Sequence, residues 1–409
     1  MATTRVAPTL LSKIMIVNRK IKIAQVITRM DWGGSPDIVR ILCERLNPDK
    51  YEVWLLTGET KYPSKKTEDF FRRFKDRVVF VPELKRDICP LSDLAAFLRL
   101  YFLFLKHRFD IAHTHTAKAG FLGRIAARLA GMPGIIHTPH GHNFYGYFGR
   151  VASRLVVWLE RFADYFADKN IVLTELEKKD LIDYGVSRKE KIAVVHSGLE
   201  LEEYSKVKVD IARKKQELGV NNTDETIVAM IGRLEAVKGP EYFIQAAGLV
   251  LKEFPEARFM LVGDGSLKDS LKKQAERLGI KDRVVFLGWR DDVTVGARHA
   301  VPLLSGIDIL ALPSLNEAVG RIILEAACFG VPAVASRTGG VPEIVRDGST
   351  GILVEPGNPA ELAKGIMLLL RDKEKRLNIG QAARELVMGS FSAENMVKQI
   401  EGLYEVMGH

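Results

Sequence analysis

The stretch from Gly306 to Gly357, GIDILALPSLNEAVGRIILEAACFGVPAVASRTGGVPEIVRDGSTGILVEPG, admits few folds. An apolar run, Ile307 to Leu312, ends at Pro313 and is followed by the polar loop Ser314-Leu315-Asn316-Glu317. Helical spacing then extends from Val319 to Phe329 and stops at Gly330. A second apolar run, Val331 to Ala335, leads through Thr338-Gly339-Gly340 to a short helix near Val341. Apolar runs without strict alternation mark strands covered on both faces, as in a parallel sheet between helices. In such sheets ligands bind beyond the carboxyl ends of the strands. The helices that start there present unpaired N–H groups and a positive dipole end, which suit phosphate oxygens. Glu317 and Glu325 bracket the first of these helix starts, and a wholly helical interval between them would span roughly 12 Å. Two glutamates on one helix ordinarily form a solvated face. Glu325, however, lies among Ile322, Ile323, Leu324, Ala326, Ala327 and Phe329. A carboxylate so placed needs hydrogen-bond partners, and ligand hydroxyls would serve.

The same alternation fills the chain. Strands are expected at Lys22–Thr28, Tyr51–Thr57, Val78–Val81, from Ile111, at Ile135-Ile136, Lys169–Leu173 and Ile192–Val195, with helices between them. A new strand starts at Ile227 and the pattern repeats. At 409 residues the chain exceeds one ordinary core. The expected class is α/β, with two doubly wound parallel sheets. We divide the chain into an N-terminal extension (1–19), a first unit (20–198), a second unit (199–388) and a last helix (389–409). The polar run from Leu199 to Thr226 reads as the linker.

Composition narrows the setting. Hydrophobic residues are 47% and charged residues 27%, an ordinary globular balance. No uncharged apolar run reaches the ~18 residues of a membrane span. The first 19 residues carry no convincing signal-peptide cleavage site. The three cysteines are widely spaced, which argues for a reducing cytoplasm and against a zinc site. The net charge is +9, and its excess lies in the first half, with 33 Lys and Arg against 21 Asp and Glu up to Val195. A nucleic acid, an anionic membrane face or a phosphate-linked substrate would each answer that charge.

Polar residues gather where strands end. His113, His115, His137, His140 and His142 fall at or just after strand ends, without metal-site spacing. His113 and His137 read as structural residues at a sheet edge, and His140, at a loop tip, as the candidate active-site histidine. Gly33-Gly34 before a helix permits either close ligand approach or a plain tight turn. Arg233 and Lys238, after the strand at Ile227, are placed to neutralise a diphosphate. Lys118 opens a helix near the histidines. Phe144, Tyr145, Tyr147 and Phe148 lie in HGHNFYGYFG, and glycines there break any regular element. The helix that follows sets Arg150, Arg154 and Arg161 beside Trp158, Phe162 and Tyr165. It suits a membrane interface or an acceptor groove, or simply packs on the sheet.

The ordered motifs GRLEAVKG, LVGDG, VVFLGW, the Glu317–Glu325 pair, TGGVPEIV and DGSTGILVEP resemble those of the family 4 glycosyltransferases, from about Lys22 to the C-terminus. The resemblance implies a GT-B fold, with two Rossmann-like domains facing a cleft and the last helix crossing back to the first. It implies a retaining hexosyltransferase that moves a sugar from a UDP- or GDP-linked donor to a lipid-linked or growing glycan acceptor. Surface polysaccharide or lipopolysaccharide synthesis at the inner face of the cytoplasmic membrane is the implied setting. By matching motif, Arg233 and Lys238 hold the diphosphate, Glu317 the sugar and Glu325 the ribose. Ser314 and the backbone of Val319, Gly320, Arg321 and Ile322 contact phosphate and sugar. Gly265, Trp289 and Arg290 line the donor pocket, Gly33 and Gly34 close over the donor, and His140 lies near the transferred sugar. Lys118, Phe144, Tyr145 and Tyr147 fall on the acceptor side. No metal or other cofactor is implied, and no Asp-x-Asp occurs. The chain departs from the family pattern at Ala318-Val319 and in a short insertion at Gly296 to Pro302. An epimerase of the same fold would isomerise its donor without an acceptor. A silent binding protein would keep the pocket without turnover. A nucleic-acid binder would have to act without any recognised motif.

Overall fold

The computed structural model describes residues 19–407 other than 32, 62, 142–143, 145–148, 208–209, 221–224, 291 and 294–301. The first half runs β1 (Ile21–Ile27), α1 (Gly34–Arg45), β2 (Tyr51–Thr57), α2 (Lys65–Phe74), β3 (Val78–Phe80), α3 (Pro90–His107), β4 (Ile111–His115), α4 (Ala117–Leu129), β5 (Gly134–Thr138), α5 (Arg150–Asp164), β6 (Lys169–Val172), α6 (Glu175–Asp183) and β7 (Ile192–Val194). The rest runs α7 (Leu201–Ser205), α8 (Ile211–Glu217), β8 (Ile227–Ile231), α9 (Pro240–Val250), β9 (Arg258–Val262), α10 (Lys268–Arg277), β10 (Val284–Gly288), β11 (Ile309–Leu312), α11 (Arg321–Ala327), β12 (Ala333–Ser336), α12 (Val341–Ile344), β13 (Gly351–Val354), α13 (Pro359–Arg371), α14 (Lys373–Ser390) and α15 (Ala393–Met407).

Helix starts follow local chemistry. Ser64, Thr174, Asp210, Asn358 and Asp372 each accept a hydrogen bond from a backbone N–H in the first turn. Pro90, Pro240 and Pro359 stand in first turns, where no N–H is needed.

The strands form two parallel sheets, as the alternation predicts. One is ordered β3-β2-β1-β4-β5-β6-β7 and the other β10-β9-β8-β11-β12-β13. Strand order reverses between β1 and β4 in the first and between β8 and β11 in the second. Those reversals open crevices at the carboxyl ends. Strands β1, β4, β5, β8, β11 and β12 are almost wholly buried, which explains their apolar runs.

The two sheets are tied by more than one connection. Leu199, after β7, pairs in parallel with Ser392, before α15. Leu199 N–H donates to Phe391 (2.8 Å) and Ala393 N–H to Leu199 (2.7 Å). Helix α15 then lies on the first sheet, where Tyr51 donates to the Glu401 carbonyl (3.3 Å) and Lys50 pairs with Glu405 (2.7 Å). Among the described residues, no helix is long and apolar enough to cross a membrane.

Three expectations are revised. The polar run after Leu199 is folded, not a free linker. It carries α7 and α8, and Lys214 and Lys215 are buried against Asp292 (2.8 Å) and Asp308 (2.9 Å). Ion pairing, invisible in composition, lets these lysines go under. The helix expected from Val319 starts at Arg321, because Gly320 adopts φ 69° and breaks the run. Glu317 is therefore outside the helix, and the straight 12 Å interval of roughly eight helical rises does not apply. His113 and His137 lie on interior strands rather than a sheet edge. The N-terminal extension through residue 18, and the insertion at 296–301, lie outside the described residues.

Candidate active site

The loops after β8 and β11 touch backbone to backbone at the second sheet's reversal. Gly239 has φ 66°, and a Cβ there would stand 2.1 Å from the Pro313 carbonyl oxygen. Leu315 N–H donates to the Val237 carbonyl (2.8 Å). This clasp sets the Lys238 ammonium 2.5 Å from Glu317 Oε2, which also accepts from Ser314 Oγ (3.0 Å). Arg233, on the same loop as Lys238, makes no side-chain hydrogen bond or ion pair with a described residue. Gly265 abuts this loop, since a Cβ on it would lie 2.5 Å from the Leu234 carbonyl oxygen. The Thr338-Gly339-Gly340 turn closes the other side. A Cβ on Gly339 would fall 1.7 Å from the Glu317 carbonyl oxygen, and Gly340 N–H donates to the Ala318 carbonyl (2.9 Å).

Helix α11 carries the second glutamate. Burial pushes the Glu325 carboxyl up to about 7, against the pull of Arg321. Arg321 Nε lies 3.4 Å from Glu325. Its other nitrogens cross to the first unit, reaching Asp37 in α1, Ser197 Oγ (3.2 Å) and the Gly198 carbonyl (3.0 Å). Burial alone would raise Asp37, but Arg321, Arg40 and Lys66 outweigh it and hold Asp37 at about 2. The glycine loop lies against the same arginine, with a Cβ on Gly34 only 3.3 Å from Arg321 Cδ. Gly33, one residue back, ends the loop as the cap of α1. Val319 is buried, and Ile322 packs on the core.

His140 faces this seam from the first sheet. It follows β5 with φ 57°, a conformation uncommon for a residue with a side chain. Glu177, in α6, accepts from Gly141 N–H (3.0 Å) and Leu173 N–H (2.8 Å), which pins the loop. A Cβ on Gly141 would meet Ala318 Cβ at 2.8 Å, so the loops of the two sheets are in contact. Glu343 reinforces that contact by accepting from the first N–H groups of α6, at Glu175 (3.1 Å) and Leu176 (2.6 Å). Burial, with Arg321 adding to it, holds His140 down to about 3, so the ring is neutral.

Lys238, Ser314, Glu317 and the 319–322 turn are thus brought together, with Arg233 and Gly265 at the loop that carries Lys238 and with Gly34, Arg321, Glu325 and His140 at the adjoining seam. Lys118, Phe144 and Arg290 have partners of their own. Lys118 pairs with Asp93 of α3 (2.6 Å). Phe144 is a core residue, buried with Val157 and Leu181 and 5.2 Å from the Tyr184 ring. The glycines around it suggested an open loop, yet one aromatic folds inward. Tyr145 and Tyr147 lie outside the described residues. Arg290 forms a two-point pair with Asp292 (2.7 and 2.8 Å), and Trp289 is half-exposed. Sequence reading missed the Arg321 side chain and Asp37 as a bridge, because 284 residues separate them. It also passed over Gln25, although a polar residue inside an apolar strand is itself a signal, and it gave His115 no role. Among the described residues, no group of three His, Cys, Asp or Glu is arranged to hold a metal.

Residues 32–203 match the Glycosyltransferase Family 4 model, and residues 210–386 match the Glycosyl transferases group 1 model. A UDP-Gal:alpha-D-GlcNAc-diphosphoundecaprenol alpha-1,3-galactosyltransferase of Escherichia coli is 31% identical over 389 residues, covering 94% of this chain and 97% of that protein. A D-inositol 3-phosphate glycosyltransferase of Corynebacterium glutamicum is 30% identical over 311 residues, 73% of this chain and 72% of that one. The crystal structure of Anabaena HepE in complex with UDP and glucose has a TM-score of 0.77 at 26% identity, covering 94% of this chain and 100% of that chain.

Proposed function

This chain is a GT-B glycosyltransferase that belongs to the group 1 and family 4 glycosyltransferases, and from that premise we propose that it transfers a sugar, with retention, from a nucleotide diphosphate sugar to a lipid-linked acceptor. The observation that carries the proposal is the cluster of Lys238, Glu317 and Ser314, with Arg233 on the same loop as Lys238, at the strand-order reversal of the second sheet. Charge builds on the diphosphate as its bond to the sugar breaks. Fixed cations aimed at that position stabilise it without reorganising. In this reading the diphosphate takes Lys238 over from Glu317, which turns its carboxylate to the sugar hydroxyls. Glu325 receives the ribose hydroxyls, and the leaving phosphate assists removal of the acceptor proton. The two sheets close over the reacting centre and exclude water, which would otherwise compete for the sugar. UDP is the favoured carrier, on the UDP complexes of HepE and the UDP-Gal donor of the Escherichia coli relative.

The acceptor reading rests on that relative, which acts on a diphosphoundecaprenol-linked sugar, and on one face of the first unit. Helix α3 exposes Leu91, Leu94, Leu98, Phe102 and Leu105 along one stripe, although Leu100 and Phe104 on its other side are buried. Helix α5 and its cap Tyr165 expose Val151, Leu155, Trp158, Phe162 and Tyr165 at alternating spacings of four and three. Trp158 is 61% exposed and Tyr165 81%. Helix α4 joins the two through Lys118–Asp93 and Arg124–Glu160. Single exposed apolar residues are ordinary, but two stripes on one face are not. Arg150, Arg154 and Arg161 flank the α5 stripe, the arrangement of a helix lying at an anionic lipid surface.

Lys238→Ala tests the diphosphate assignment. Loss of one such positioned cation lowers kcat by about 10²-fold. Unchanged rate and donor affinity would show that Lys238 does not hold the diphosphate.

A further inference from the structure

Four side chains beneath α15 and Tyr404 of that helix form a continuous hydrogen-bonded chain that ends at His140. His140 Nε2 lies 2.9 Å from His115 Nδ1, and His115 Nε2 lies 2.7 Å from Gln25 Oε1. Gln25 Nε2 donates to the Tyr404 hydroxyl (2.9 Å), which lies 2.6 Å from His113 Nδ1. His113 Nε2 in turn lies 2.7 Å from Thr138 Oγ1. Gln25, His113, His115, Thr138 and Tyr404 are all buried. The parallel register sets Gln25 beside His113 and His115 beside Thr138.

The chain has a direction. Gln25 Oε1 can only accept, so His115 Nε2 carries a proton. Burial holds His115 neutral, so its Nδ1 is a lone pair that accepts from His140 Nε2–H. His140 is neutral too, and its Nδ1 is left as a lone pair. On the far side Gln25 donates to Tyr404, whose hydroxyl proton has His113 Nδ1 as its acceptor; the neutral His113 then donates through Nε2–H to Thr138. Every donor points away from His140, so the bonds polarise one another in one sense. His140 Nδ1 is buried and has no partner among the described residues. The His140 loop meets the second sheet there, where a Cβ on Gly141 would stand 2.8 Å from Ala318 Cβ.

We propose that Gln25, His115 and Tyr404 are positioning residues for sugar transfer: their chain fixes His140 as the tautomer whose bare Nδ1 accepts a hydrogen bond from a hydroxyl of the transferred sugar. The proposal rests on the reading of His140 as a donor-site residue. Gln25 sets the direction, because turning its amide over would reverse every bond and put a proton on His140 Nδ1.

The test is long-range proton–nitrogen correlation of the full-length protein with 15N-histidine, joined to kinetics of Gln25→Met and Tyr404→Phe. The expected spectrum shows His140 protonated at Nε2 and bare at Nδ1. Gln25→Met should mix the tautomers and lower kcat about tenfold with donor KM within about twofold, the signature of an interaction made mainly in the transition state. Tyr404→Phe, one bond further away, should act in the same direction by about threefold. A proton on His140 Nδ1 in the unaltered protein overturns the proposal, whether or not Gln25→Met folds. So does a Gln25→Met protein with unchanged tautomer and kcat. Full activity of His140→Ala overturns the site reading itself. An inactive His140→Ala beside a fully active Gln25→Met overturns the positioning chain alone.

Discussion

Glu325 sits where two demands on one carboxyl conflict. Burial favours its neutral form, while Arg321 at 3.4 Å favours the charged one, and the balance falls at about 7. Ribose hydroxyls donate more strongly to a carboxylate than to a carboxylic acid. Donor affinity should therefore rise as pH rises from 6 to 8, and Glu325→Gln should flatten that profile in a calorimetric titration. The stability effect has the opposite sign. Between about 4.5 and 7 the folded state holds a proton that the unfolded chain has lost, so this group's contribution falls as pH rises through that window. A donor affinity that is flat in pH for both proteins would remove Glu325 from the ribose site. At this scale the sequence was partly legible. The apolar neighbours of Glu325 announced a buried carboxylate, and the Arg233-to-Lys238 spacing announced a cationic loop. The partners of Arg321 were not legible, because Asp37 and Ser197 reach it only through the tertiary fold.

Loops, rather than helices, decide the site at the level of elements. Gly239 joins the loop after β8 to the loop after β11 with its backbone 66° on the positive side of φ. Gly239→Ala would cost roughly 1–2 kcal/mol for that conformation. The added Cβ, 2.1 Å from the Pro313 oxygen, would force the two loops apart as well. The expected result is a melting temperature lower by several degrees and weaker donor binding, since Lys238 and Ser314 sit on opposite sides of the clasp. A variant that binds donor normally would show that the clasp is not needed to assemble the cluster. Strand positions were legible because a doubly covered strand must be apolar along its length. The start of α11 was not, because Gly320 could equally have continued the helical run. Lys214 and Lys215 misled for another reason, since their burial depends on Asp292 and Asp308, which lie far along the chain.

For the whole molecule, the two sheets were implied by the repeated alternation, and the return of α15 to the first by the family resemblance alone. The pairing of Leu199 with Ser392 was not legible, since it joins residues far apart in the chain. The apolar face made by α3 and α5 was half visible, because the α5 pattern stood out while the α3 stripe was hidden in a helix apolar on both sides. If this face meets lipid, the protein should sediment with anionic vesicles, less so at high salt. Leu98→Glu with Trp158→Glu should release it while hydrolysis of a nucleotide sugar in solution continues. Vesicle binding unaffected by this double change would assign the face to another partner.

Retaining transfer from a nucleotide sugar to a diphosphate-linked lipid acceptor leaves its mark on the product. The most direct measurement is the anomeric proton coupling of the product formed from an α-linked UDP-sugar and a short polyprenyl-diphosphate-linked sugar. Retention gives an α-linked product, and a transferase leaves the donor sugar unconverted when the acceptor is omitted. A β-linked product, or isomerised donor without acceptor, would contradict it.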